Sequence, residues 1–161
     1  MRIYNMSKSA RDEVVSKIKS MGFDISKSHD LKIAETDDPA LAIIFDKDEN
    51  LYIGRKDESV YFPLLKDVNI LPHLPSATVD SGAVKFVCNG ANVMRPGILS
   101  FEGTFATGDL IVVKEVKHGK AIAVGHALGG NEELKAMKKG ASVENLHYVG
   151  DKIWEALKGI E

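Results

Sequence analysis

Reactive side chains are present in this chain, but their spacing does not suit catalysis. The single cysteine, Cys88, has no adjacent cation, whereas a nucleophilic cysteine needs a paired base or a nearby positive charge. Asp80 precedes a Ser-Gly pair and is interpreted as a loop or helix-cap residue. The five histidines lack metal-ligand spacing such as H-x-x-x-H: His29, His73, His118, His126 and His147. We therefore expect no catalytic residues, no metal site and no cofactor.

The charge balance limits the partners of the chain. Its 161 residues contain 21 lysines and arginines against 23 aspartates and glutamates, a net charge of −2. Proteins that wrap long duplex DNA usually carry a large basic excess, because their affinity comes from counterions released by phosphates. The longest apolar run, residues 40–45, is far shorter than the ~20 residues of a membrane helix. We expect neither DNA nor a membrane as a partner, and any RNA contact must use a few local cations.

One stretch, residues 79–97, combines features that suit the end of an RNA strand. Glycines such as Gly82 have no Cβ, so another backbone can approach them closely. Lys85 and Arg95 offer cations to phosphate oxygens, and Val93-Met94 offers an apolar floor for a base. The alternative that spacing alone leaves open is that the glycines only form turns and that Lys85 only solvates a helix face.

The N-terminal half is predicted to form a helix packed on a small, mostly antiparallel sheet. The helix is expected to be the first element, capped by Ser9, with Asp12 and Glu13 in its first turn and Gly22 as its stop. Its apolar face repeats at helical spacing: Val14, Val15, Ile18 and Met21. Four β-forming runs follow between turn signals: residues 31–35, 40–45, 51–53 and 60–62.

Prolines at positions 72 and 75 stiffen the chain after a predicted helical turn at residues 66–70. We place the domain boundary there, which gives domains of residues 1–74 and 75–161. The second domain holds 12 of the 14 glycines, and its short strands are predicted at residues 97–101, 110–116 and 121–127. Short strands with glycine corners favour a compact barrel or sandwich. A helix capped by Asn131 and an amphipathic C-terminal helix complete this domain.

Four blocks carry a family resemblance in their order along the chain. They are Tyr61–Lys66, Ile70–His73, Val79–Gly97 and Gly140–Trp154. Together they resemble the PUA domain, an RNA-binding module named after pseudouridine synthases and archaeosine transglycosylases. The similarity is greatest to the malignant-T-cell-amplified-sequence family of translation factors and its archaeal relatives. The resemblance implies an α+β fold, with a small N-terminal α/β pre-PUA domain and a C-terminal PUA β-pseudobarrel with flanking helices.

The resemblance also implies a site. In PUA domains the RNA groove follows the first helix, the glycine-bearing strand after it and the last strand. The corresponding residues of this chain are Gly82, Ala83, Lys85, Asn92, Val93, Met94, Arg95, Pro96, Gly97, Asn145, His147 and Tyr148. Arg95 stands where eukaryotic members are expected to carry a smaller, uncharged residue, and this departure predicts a stronger phosphate contact.

The function implied by the resemblance is non-catalytic RNA binding in translation initiation or recycling, with a tRNA or small-subunit ribosomal RNA as partner. The slightly acidic pre-PUA half is expected to meet a translation-factor protein. One alternative is an accessory subunit of an RNA-modifying enzyme of the pseudouridine synthase or transglycosylase type, although residues 1–74 are too few for either catalytic fold. Another is a protein-interaction module with a vestigial groove. The missing secretory segment and the lone cysteine lead us to expect a cytoplasmic protein.

Overall fold

The computed structural model describes residues 1–160 and divides the chain into two compact units. Unit 1 comprises Met1–Pro72 together with residues 156–160, and unit 2 comprises His73–Glu155. The end of the chain thus groups with unit 1, whereas the sequence-based boundary assigned it to the second domain. No helix among the described residues has the length and apolar character needed to cross a membrane.

Unit 1 is a five-stranded antiparallel sheet with one long helix. The elements are β1 (Arg2–Asn5), α1 (Lys8–Ser20), β2 (Lys32–Glu35), β3 (Leu41–Asp46), β4 (Leu51–Lys56) and β5 (Val60–Pro63). The strands follow one another in the spatial order β1-β2-β3-β4-β5. The buried side chains of this unit come mainly from β3, β4 and β5, together with Val14 and Ile18 of α1.

The start of unit 1 differs from the sequence-based expectation. Strand β1 precedes the helix, and all four of its residues are exposed, so it lacks the alternating burial that reveals a strand. The helix is capped by Ser7, whose Oγ accepts a hydrogen bond from the Ala10 N–H at 3.2 Å. The predicted cap at Ser9 is therefore wrong, because Ser9 is already inside the helix. Asp12 and Glu13 consequently lie beyond the first turn.

The predicted helical turn at residues 66–70 is also wrong. A buried carboxylate, Asp67, organises this segment as a loop by accepting backbone hydrogen bonds. Its Oδ1 accepts from Asn69, Ile70 and Leu71, and its Oδ2 accepts from Tyr52 at 3.0 Å. Four N–H groups that would otherwise lack partners are thereby satisfied, and the chain turns without a helix. A single 3₁₀ turn follows at Leu71–His73.

Unit 2 is a six-stranded mixed sheet that curls into a half-open barrel. The elements are β6 (Ser76–Val79), α2 (Ser81–Val87), β7 (Val93–Met94), β8 (Ile98–Glu102), β9 (Leu110–Glu115), β10 (Ala121–Ala127), α3 (Asn131–Ala136), β11 (Ala141–Tyr148) and α4 (Lys152–Leu157), whose last two residues belong to unit 1. The spatial order of the strands is β7-β11-β10-β9-β6-β8, with β6 parallel to β9 and the other pairs antiparallel. The edge strands β7 and β8 are joined by one 3₁₀ turn, Arg95–Gly97. The predicted α+β class is confirmed.

Helix α3 begins differently from the prediction. Gly130 occupies its cap position, and the side chain of Asn131 turns toward the preceding loop. Asn131 Oδ1 accepts a hydrogen bond from the Phe105 N–H at 2.7 Å, and its Nδ2 donates to the Gly103 carbonyl at 2.8 Å. The predicted capping role of Asn131 is therefore wrong. This side chain fastens the loop between β8 and β9 to the start of the helix.

Candidate nucleic-acid interface

Helix α2 begins at a side-chain cap and exposes Lys85 and Phe86 toward its C-terminal end. Asp80 Oδ1 accepts a hydrogen bond from the Ala83 N–H at 2.9 Å, which agrees with the cap role expected from the sequence. Val87 faces the core of unit 2, and the opposite side of the helix presents Lys85 and Phe86 to solvent. Phe86 is 59% exposed, and Lys85 Nζ lies 5.1 Å from the centroid of its ring. An aromatic face beside a cation can stack on a base and contact a phosphate.

The turn that joins β7 to β8 lies against the start of α2. The Asp80 N–H donates to the Gly97 carbonyl at 2.9 Å. A Cβ added to Gly97 would stand 3.1 Å from the Ala83 Cβ, so a larger residue there would push the two segments apart. Gly97 and Ala83 therefore serve the close packing of helix and turn. We give the name α2 surface to six of the exposed residues of α2 and of the segment that follows it: Gly82, Lys85, Phe86, Asn92, Met94 and Pro96.

A second contact fixes the loop after α2 onto strand β11. Asn145 Nδ2 donates to the carbonyls of Val87 and Ala91, both at 3.0 Å. The Asn145 N–H donates to Asn92 Oδ1, also at 3.0 Å. These three hydrogen bonds use the side chains of Asn92 and Asn145 to shape the backbone. Both residues are predicted from the sequence to bind RNA. In the structure their side chains hold the loop after α2 against strand β11.

Gly90 and Tyr148 meet at the same loop. Gly90 has a φ of +94°, a conformation that glycine adopts without strain. A Cβ at this position would lie 3.1 Å from the Tyr148 hydroxyl oxygen, so the absence of a side chain also makes room for the ring. Tyr148 is half-buried below the loop. Helix α2, the segment after it and strand β11, which are expected to form the groove, are thus in contact with one another.

Two of the predicted site residues lie inside the protein. Val93 is 1% exposed and His147 is 0% exposed, so neither side chain can touch RNA in this structure. His147 Nδ1 lies 2.9 Å from Asp151 Oδ2. The carboxylate of Asp151 also accepts hydrogen bonds from the N–H groups of Tyr148 and Trp154 at the start of α4. The assignment of Val93 and His147 to the contact surface is corrected: both support the fold.

Arg95 also differs from the prediction, because its guanidinium is engaged with the protein. Its Nε donates to the Leu134 carbonyl at 2.6 Å, and its Nη1 donates to the Ile98 carbonyl at 2.9 Å. The guanidinium carbon lies 5.3 Å from the centroid of the Phe101 ring. Arg95 therefore links α3 to the first residue of β8 and is not a free cation beside Lys85. Of the two cations expected to contact phosphate, Lys85 is the one that lies exposed on the α2 surface.

Phe86 is the residue that the sequence-based site missed. The sequence shows it only as one of several apolar residues in a short helix. Helical spacing could have identified it. Ala83, Val84 and Val87 form the side of the helix that faces the core of unit 2, and this arrangement places Phe86 on the outer side. Met94 is 51% exposed, so its side chain lies on the surface, and its apolar contact with RNA stays a prediction. Phe86 and Met94 are the large apolar side chains of the α2 surface.

The single cysteine of the chain, Cys88, lies at the end of helix α2 and is partly buried. Burial raises the pKa of the Cys88 thiol above its ordinary value, so the nucleophilic thiolate is disfavoured. Among residues 1–160, no group of three or more histidine, cysteine, aspartate or glutamate side chains is placed to hold a metal ion. The α2 surface can offer stacking, apolar contact, one cation and open backbone to a ligand.

Comparison with known proteins agrees with this architecture. Residues 75–149 match the PUA domain family. An uncharacterized protein of Methanocaldococcus jannaschii is 41% identical over 130 residues, which cover 81% of this chain and 78% of that protein. Malignant T-cell-amplified sequence 1 of Rattus norvegicus is 33% identical over 108 residues, covering 65% of this chain. This chain belongs to the PUA-domain proteins of the malignant-T-cell-amplified-sequence family.

The family likeness extends to a translation-associated yeast protein and to a solved structure. Translation machinery-associated protein 20 of Saccharomyces cerevisiae is 36% identical over 113 residues, which cover 66% of this chain. The match spans 61% of the yeast protein and 59% of the rat protein, so part of each relative lies outside it. The crystal structure of a hypothetical protein from Pyrococcus horikoshii superposes with a TM-score of 0.76 at 31% identity, covering 96% of this chain and 99% of that one. The structural likeness therefore extends over nearly the whole length of both chains.

Proposed function

We propose that this protein binds RNA through the α2 surface, as a non-catalytic partner of the translation machinery. The observation that carries the proposal is the exposed pair Lys85 and Phe86, with Met94 on the following strand. These residues lie within the segment that matches the PUA domain. Their chemistry suits unpaired nucleotides, since a ring stacks on any base and an ammonium group contacts phosphate oxygen.

The rigid backbone around these residues supports the proposal. The Asn145 hydrogen bonds and the contact between Gly97 and Ala83 hold the loop in place before any ligand arrives. Binding to a preformed surface loses less conformational entropy than ordering a flexible loop. We propose that the RNA is a tRNA with an unpaired end. Small-subunit ribosomal RNA is the second candidate, because it offers the same phosphates and bases. A role in translation would place the protein in the cytoplasm, and a protein partner for unit 1 stays a prediction.

The direct test is fluorescence anisotropy with a labelled tRNA at moderate salt. The double variant K85Q/F86A should bind at least about tenfold more weakly, because a base stacked on an aromatic ring contributes ~1–3 kcal/mol. The matched control is K8Q/V68A, which removes one exposed charge and one exposed apolar side chain in unit 1. Equal affinity of K85Q/F86A and wild type would refute the α2 surface as the binding site.

A second measurement separates binding from catalysis. The tRNA is incubated with the protein, digested and analysed by mass spectrometry for altered nucleosides. Binding without a mass change is the expected result. A new modified nucleoside would favour the alternative of an RNA-modifying enzyme. Sedimentation of the protein with purified small ribosomal subunits, with and without competing tRNA, distinguishes the two candidate RNAs.

A further inference from the structure

The tip of the β9–β10 hairpin forms a basic turn that the α2 surface does not include. Residues 114–120 contain three lysines and one histidine against one glutamate. Lys117, His118 and Lys120 are exposed. Within residues 1–160, neither Lys117 nor Lys120 has a carboxylate within ion-pair distance. Two ammonium groups at this tip are therefore available to an anionic partner.

The one carboxylate of the turn, Glu115, is directed at the backbone. Glu115 Oε1 accepts hydrogen bonds from the His118 N–H at 2.8 Å and from the Lys120 N–H at 3.0 Å. The hydrogen bond from the Lys120 backbone lowers the pKa of this carboxyl. Glu115 N–H also donates to the Lys120 carbonyl at 2.9 Å, and Gly119 adopts a φ of +66° that completes the turn. The glutamate thus shapes the turn, and the two lysine side chains extend from a fixed backbone.

Backbone hydrogen bonds place this tip next to the α2 surface. The Val116 N–H donates to the Val79 carbonyl at 3.1 Å, and Val79 is the residue before the cap of α2. On the other strand of the hairpin, the Ile122 carbonyl accepts from the Val149 N–H at 3.0 Å, one residue after Tyr148. The tip therefore leaves the sheet beside the beginning of α2 and the end of β11, two of the segments that frame the α2 surface.

We propose that this hairpin tip, through Lys117 and Lys120, binds the phosphate backbone of a base-paired stem in the same RNA whose unpaired end lies on the α2 surface. Two of the exposed side chains at the tip are lysines, and it has no phenylalanine, tyrosine or tryptophan, so it suits phosphates, whereas Phe86 and Met94 suit bases. The inference rests on the proposed function, because it assigns the hairpin to the RNA that the α2 surface holds. It gives the protein a preference for a stem with a single-stranded tail over the tail alone.

The test compares two labelled RNAs: a stem-loop with a single-stranded 3′ tail, and the tail alone. Affinity is measured by anisotropy between 50 and 200 mM salt for wild type, for K117Q/K120Q, and for the control K8Q/K27Q, which removes two exposed lysines from unit 1. For the stem-loop, the slope of log affinity against log salt should become shallower by about 2 in K117Q/K120Q, since each lost phosphate contact removes about one unit. The tail alone should bind K117Q/K120Q and wild type equally, and K8Q/K27Q should behave as wild type with both RNAs.

Unchanged slopes in K117Q/K120Q would overturn the hairpin site, as would an equal loss of affinity for the tail alone. The proposed function fails in a different way, by an unchanged affinity of K85Q/F86A or by no RNA binding in wild type. Glutamine keeps the backbone hydrogen bonds to Glu115 and adds no repulsion. A thermal midpoint equal to that of wild type checks that the turn is intact.

Discussion

Substitution of Arg95 tests whether this side chain stabilises the fold, as its hydrogen bonds to the protein indicate. Replacing it with methionine keeps an unbranched apolar stem but removes the hydrogen bonds to the carbonyls of Leu134 and Ile98. A hydrogen bond from a charged donor contributes ~1.5–3 kcal/mol, and the contact with the Phe101 ring adds about 0.5–1 kcal/mol. Because Arg95 is only half-buried, water replaces part of this interaction. We expect R95M to lower the free energy of unfolding by about 2–4 kcal/mol.

The assay is equilibrium unfolding in urea, followed by RNA binding at a temperature where the variant is folded. The matched control is K85M, the same kind of substitution at an exposed cation, which should change stability by less than about 0.5 kcal/mol. RNA affinity should show the opposite order, with K85M weakened and R95M close to wild type. A loss of stability below about 0.5 kcal/mol in R95M, together with weakened RNA binding, would refute the reasoning and restore Arg95 as a phosphate contact.

Two further substitutions test the fold. D67N should cost about 1–3 kcal/mol at neutral pH, because an amide NH₂ would face the Tyr52 N–H, whereas D37N at an exposed carboxylate should be neutral. Burial raises the pKa of Asp67, so folding favours its protonated form; this extra stability is present below the unfolded pKa and is lost as pH rises through the folded pKa. D67N should abolish this pH dependence of the free energy of unfolding, measured with urea. G125A should cost about 3 kcal/mol or prevent folding, because its Cβ would lie 2.1 Å from the Glu144 carbonyl oxygen. G82A, with a Cβ 3.4 Å from its nearest neighbour, should be neutral or stabilising in thermal melts.

Most of the fold was predictable because buried strands and glycine corners leave local signals. Strands β2 to β5 are rich in β-forming residues and stand between turn signals, and the barrel strands β9 and β10 are bounded by glycines or charged turns. Strand β1 left no such signal, since its four residues are all exposed. The cap at Ser7 was confused with Ser9 because two serines stand within one helical turn, and only the backbone conformation distinguishes them.

The site was less predictable because burial of a polar residue depends on distant partners. Arg95 and Leu134 are 39 positions apart, so nothing near Arg95 in sequence reveals the carbonyl that engages it. Val93 and Met94 show the simpler case: neighbours in a strand point to opposite faces, so only one of them can be exposed. His147 faces inward on β11, where the pairing with β10 skips Leu146 and this break in register interrupts the alternation of buried and exposed residues.

The loss of Arg95 from the surface changes the expected source of affinity. With a net charge of −2 and a single cation on the α2 surface, RNA binding by that surface alone would have a salt slope of about 1, and most of its affinity would come from stacking on Phe86. A protein that holds a structured RNA at physiological salt needs further phosphate contacts. The lysines of the β9–β10 hairpin are available for them and lie beside the same segments. A wild-type slope of about 3 with the stem-loop and about 1 with the tail would therefore divide the binding into a base-reading surface and a separate phosphate-binding hairpin.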